Sequence, residues 1–137
     1  MNKKWMSAFV VLSALGGCVI QDYVPPQSAT MTKIYAQKLE SPWMCLDGKI
    51  YKLTKDFEGY APIPTGRRIT VGENFFRANG TCKPALSLIP NQGVSYYGES
   101  KIDTGKCYIN VVRVLDVSPL RFGPEPSVGQ KQPHCDW

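Results

Sequence analysis

Asp47-Gly48-Lys49-Ile50-Tyr51-Lys52-Leu53 is the stretch on which the reading of the fold turns. Asp-Gly is a pair favoured by a two-residue hairpin, because both central positions of its turn need positive φ. Polar and apolar side chains then intermix over residues 49–53, with Lys49 and Lys52 between Ile50, Tyr51 and Leu53, as on a half-buried strand. Working outward, Tyr60-Ala61-Pro62-Ile63-Pro64 leads through Thr65-Gly66 into Arg67-Arg68-Ile69-Thr70-Val71. Phe75-Phe76-Arg77 closes at Asn79-Gly80, and Ala85-Leu86-Ser87-Leu88-Ile89 ends at Pro90. Val94-Ser95-Tyr96-Tyr97-Gly98 follows, then residues 107–114, entered through Asp103-Thr104-Gly105. Short strands punctuated by Gly, Pro and Asn turns argue for an all-β sandwich or small barrel, and no segment reads as a useful helix. Pro119, Pro124, Pro126 and Pro133 make the C-terminal segment an irregular wrap.

The cysteines set the compartment. Cys45, Cys82, Cys107 and Cys135 form an even set in the body of the chain, as in an exported disulfide-bonded domain. Three connectivities are open; the favoured one joins Cys82 to Cys107 inside the β-rich middle and Cys45 to Cys135 across the domain. A zinc site is a poor fit, because no Cys-x-x-Cys pair occurs and His134 is the one histidine. No metal and no cofactor are expected.

The classes excluded are as informative. No Gly-rich phosphate loop, His-Glu-x-x-His or Gly-x-Ser-x-Gly is present. A Ser-His-Asp triad would have to use His134 beside a disulfide cysteine, and Asp56 with Glu58 reads as a solvated turn before it reads as a glycosidase pair. The chain is expected not to be an enzyme and to have no catalytic residue. Arg67-Arg68 is the one basic doublet beyond the first residues, so a nucleic-acid partner is not expected. Binding is the better class. Tyr96 and Tyr97 must point to opposite faces of a strand, leaving one outward. Arg67, Arg68, Phe76 and Tyr97 are the candidate binding surface, of the aromatic and basic kind enriched at interfaces.

The N-terminus carries an address. Lys3-Lys4 precedes an apolar run over residues 5–15, too short for a spanning helix of about 20 residues and suited to a secretory h-region of about 7–15. Leu15-Gly16-Gly17-Cys18 resembles the lipobox of bacterial lipoproteins, with Gly16 where Ala or Ser is commoner. The resemblance implies cleavage between Gly17 and Cys18 and acylation of Cys18; the alternative is an ordinary cleaved signal peptide. Each buried methylene contributes about 0.8 kcal/mol, so several acyl chains would make detachment negligible. Val19, where Asp would resemble an inner-membrane retention signal, favours the outer membrane by the same analogy. The whole chain has 16 Lys+Arg and 11 Asp+Glu, and without Lys3 and Lys4 the formal excess falls from five to three.

The expected division is a signal peptide at 1–17, a lipidated tether at 18–42 containing Pro25-Pro26, and a disulfide-stapled β-domain with an irregular tail at 43–137. The order of cues over about residues 44–115, an Asp-Gly hairpin, Pro64 to Ile69, then Pro90, Gly93 and Tyr96, resembles the small prealbumin-like modules of bacterial envelope lipoproteins. With it the expected fold is a small antiparallel β-sandwich, prealbumin- or Ig-like, of about six to seven short strands. The implied role is an outer-membrane-anchored, non-catalytic structural or interaction module. Its domain would face the periplasm and meet an envelope protein or peptidoglycan. The alternative is a lipoprotein inhibitor of an incoming enzyme such as lysozyme.

Overall fold

The computed structural model describes residues 19–78 and 80–136. Gly17 and Cys18, the expected cleavage and lipidation positions, lie outside the described residues. Among the described residues there are twelve strands and no helix. In chain order they are β1 (Met31–Lys38), β2 (Pro42–Leu46), β3 (Lys49–Lys52), β4 (Tyr60–Pro64), β5 (Ile69–Glu73) and β6 (Phe75–Arg77). They continue as β7 (Gly80–Cys82), β8 (Ala85–Leu88), β9 (Tyr96–Asp103), β10 (Lys106–Val117), β11 (Leu120–Gly123) and β12 (Gly129–Gln130). Sheet I has the order β11-β10-β9-β1-β4, sheet II the order β12-β8-β5-β2-β3, and β6-β7 form a separate hairpin.

The domain is an all-β, two-sheet sandwich: β1, β4 and the start of β9 in sheet I alternate between buried and more exposed positions, whereas β5 and most of β2 and β8 in sheet II are buried throughout, both faces of that sheet being covered. Ile34, Ala61, Ile63, Tyr96 and Val111 of sheet I meet Met44, Ile69, Val71, Leu86 and Leu88 of sheet II in one buried cluster. Fully burying a large apolar side chain contributes about 1.5–3 kcal/mol, so this layer is the principal source of stability. Two turns follow directly from sequence. Asp47 and Gly48 both have positive φ, as do Thr104 and Gly105, and each pair closes a two-residue hairpin.

Three expectations change. Strands number twelve, more than the six to seven expected, because β7, β11 and β12 are only two to four residues long and too short to show a period, while β1 and the first residue of β2 fall in the segment assigned to the tether. Residues 31–42, assigned to the tether, belong to the domain: β1 lies inside sheet I between β9 and β4. Ile34, Ala36 and Leu39 are buried there, and burial of that face outweighs the local signal of the prolines upstream. Residues 21–23 also run along β3, with the Tyr23 N–H donating to the Lys52 carbonyl and the Lys52 N–H to Gln21, each at 2.9 Å. Sheet I is also not purely antiparallel, since β1 and β9 pair in parallel. Parallel neighbours need a long crossover, which here is everything between residues 38 and 96.

The C-terminal segment crosses from β11 in sheet I to β12 in sheet II and then lies on the outer face of sheet II. Trp43, Cys45 and Cys135 form a second small core there. Cys45 is bonded to Cys135 and Cys82 to Cys107, with Cα separations of 5.6 and 5.9 Å. The segment is held besides by Glu125, which accepts from Arg113 Nε at 2.6 Å and from the Ser127 N–H at 2.9 Å. Gln132 donates its N–H to Thr70 at 3.0 Å.

Candidate functional site

Sheet I leaves its outer face uncovered, and the alternation that buries Ile34 and Tyr96 puts Tyr35 and Tyr97 there. Tyr35 stands directly opposite Tyr60 on β4 and opposite Tyr97 on β9. The Tyr35 and Tyr97 rings are nearly parallel at 5.6 Å, and Tyr60 meets Tyr35 edge-on at 5.2 Å. Tyr97 reaches Phe122 of β11 at 4.8 Å, over the intervening β10. Four rings thus cross the whole sheet. Beyond them Val117 and Leu120 are exposed at 78% and 59%, which extends the apolar surface over the β10–β11 hairpin. A shallow groove of about 270 Å³ runs between the rings, these aliphatic residues and Lys38.

The electrostatics of this face are one-sided. Glu99 is paired with Lys101 at 2.9 Å and Asp116 with Arg121 at 2.7 Å. Lys33 sits over the Tyr60 ring at 4.1 Å. No carboxylate pairs with Lys33 or Lys38 among the described residues. Burial raises the Tyr97 hydroxyl pKa, Glu99 and Tyr35 add to the rise, and Lys101 offsets part of it, so the phenol stays neutral and able to donate.

A second concavity, about 660 Å³, opens where residues 24–30 pass the turns after β4 and β8. Tyr23 and Tyr51, edge-to-face at 5.5 Å, form one wall, and Arg67 lies on its rim. Arg67 is ion-paired with the exposed Asp47.

The four candidate surface residues do not form one surface. Arg67 borders the cavity, Phe76 is exposed on the β6–β7 hairpin, and Tyr97 belongs to the aromatic face. Arg68 is a structural clamp: Nη1 donates to Ser87 Oγ at 2.9 Å and to the Ser127 carbonyl at 3.0 Å, tying the C-terminal segment to sheet II. Asp56 is likewise structural, its Oδ1 accepting from the Glu58 and Tyr60 N–H groups, both at 2.9 Å, in the turn before β4. His134 takes a positive φ beside Cys135. Tyr35, Phe122 and Lys38 escaped the sequence reading; Ile34-Tyr35-Ala36 carries an alternation that would have exposed the first.

Comparison with protein-family models, with curated proteins and with solved structures finds no match to this chain.

Proposed function

We propose that the chain is an outer-membrane-anchored lipoprotein whose periplasmic β-domain is a non-catalytic interaction module, with the aromatic face of sheet I as its docking surface. The observation that supports this most is the row Tyr60, Tyr35, Tyr97 and Phe122 with exposed Val117 and Leu120 beside it. Contiguous apolar patches of this kind are rare on surfaces that stay in water, and buried aromatics dominate interface energetics. Lys33 and Lys38, which no carboxylate holds among the described residues, suit a partner protein whose apolar surface is bordered by acidic residues. The lipobox and the paired cysteines support the envelope address.

Two measurements test the reading. Labelled palmitate enters the wild-type protein and not Cys18→Ala if the address is right; labelling of the alanine variant rejects it. Tyr97→Ala with Phe122→Ala removes the envelope protein co-purified with wild type, while the domain still melts cooperatively. Retention of that partner by the double variant rejects the surface.

A further inference from the structure

The cavity bordered by Arg67 is distant in chemistry from the aromatic face, and its lining has a specific composition. Tyr23 and Tyr51 supply ring surface, Ser28, Asn91 and Gln92 supply a hydroxyl and two amides, and among the described residues Arg67 is the only charged one of the lining. Asp47 is held on the Arg67 guanidinium. A guanidinium has five N–H donors, so a single exposed ion pair leaves most of them for a ligand. The field of Arg67 reaches into the cavity: burial and Tyr51 push the Tyr23 hydroxyl pKa up, and Arg67 pulls it back. A volume of about 660 Å³ falls within the range of small-molecule sites, about 300–1,000 Å³.

We infer that this cavity binds an acidic sugar, with Arg67 on the carboxylate, the Tyr23–Tyr51 corner against the ring carbons, and Ser28, Asn91 and Gln92 on the hydroxyls. Charge, ring surface and polar side chains of the lining thus each answer one part of that ligand. A purely apolar ligand would offer nothing to the two amides and the guanidinium, and a cationic one would meet Arg67 unfavourably. A simple anion would leave the tyrosine wall unused. The inference stands apart from the docking surface and from the membrane address, because it uses neither.

The test is NMR titration of the full-length chain in detergent micelles with glucuronic acid and N-acetylmuramic acid, against glucose, N-acetylglucosamine and acetate. The acidic sugars are expected to shift the Arg67 Nε–H and the Tyr23 and Tyr51 ring resonances, with the neutral sugars and acetate each bound about tenfold more weakly, the scale of one charge-assisted hydrogen bond. Arg67→Ala should lower acidic-sugar affinity about tenfold and leave the neutral sugars unchanged. Asp47→Asn, which frees the guanidinium and keeps a residue tolerant of positive φ, should tighten acidic-sugar binding. A merely structural Arg67–Asp47 pair would not produce that gain, and the Asp47 variant decides the matter should Arg67→Ala lose its fold. Absence of shifts with both acidic sugars, acetate bound as tightly as they are, or affinity unmoved or weakened in Asp47→Asn would overturn the inference.

Discussion

Trp43 lies over Gly72, its cross-strand neighbour on β5, so closely that a Cβ at position 72 would stand 2.6 and 2.9 Å from the indole Cε2 and Cη2 atoms. The indole closes the outer face of sheet II beside the Cys45–Cys135 bond, and Trp43 Nε1 donates to Asn74 at 3.3 Å. Gly72→Ala must displace a ring that is 2% exposed and bounded by a disulfide. Overpacking of this kind costs about 1–3 kcal/mol. A urea melt should show a lower midpoint with an unchanged slope, whereas Gly66→Ala tests backbone strain alone, since nothing lies near its Cβ.

Glu125 gives the domain an acid limit. Burial opposes its charge, yet the Arg113 hydrogen bond and the two Ser127 donors win and lower its pKa to about 2, against an ordinary 4.5. A depressed carboxylate stabilises the fold fully above the unfolded pKa and loses that contribution as pH falls from about 4.5 through about 2. The shift corresponds to about 3 kcal/mol. Glu125→Gln should therefore be less stable than wild type at neutral pH, and the difference should shrink toward pH 2. Denaturant midpoints across that window check it; a constant difference would contradict the role of the charge.

The two disulfides should separate in their effects. Cys45–Cys135 spans 90 residues and Cys82–Cys107 spans 25. Loop-closure entropy then assigns about 4–5 kcal/mol to the first and about 3–4 kcal/mol to the second. Replacing Cys45 and Cys135 by alanine should also free the C-terminal segment, seen as fast amide exchange at Gln130 and Gln132. Replacing Cys82 and Cys107 should leave those amides protected.

Legibility in the sequence followed the range of the interaction. Asp47-Gly48 and Thr104-Gly105 could be read because a two-residue hairpin constrains its own φ angles. The opposite fates of Tyr96 and Tyr97 could be read because adjacent strand residues face opposite ways: Tyr96 is fully buried and Tyr97 joins the aromatic face. The β1–β9 pairing could not, since its register is set by packing between segments some sixty residues apart. The aromatic row failed for the same reason, because Tyr35, Tyr60, Tyr97 and Phe122 come from four separate strands. Arg68 was misplaced because its partners, Ser87 Oγ and the Ser127 carbonyl, lie 19 and 59 residues away and leave no local signature.

The central claim is that the aromatic face of sheet I docks an envelope protein. A photoreactive phenylalanine analogue at Phe122, compared with the same analogue at Phe57, tests it in living cells. Phe57 is 97% exposed on the turn before β4, while Phe122 lies at the end of the row of rings. A discrete adduct from position 122, absent from position 57 and lost when Tyr97 is changed to alanine, is the expected result. The same adducts from both positions, or none from 122, would contradict the account.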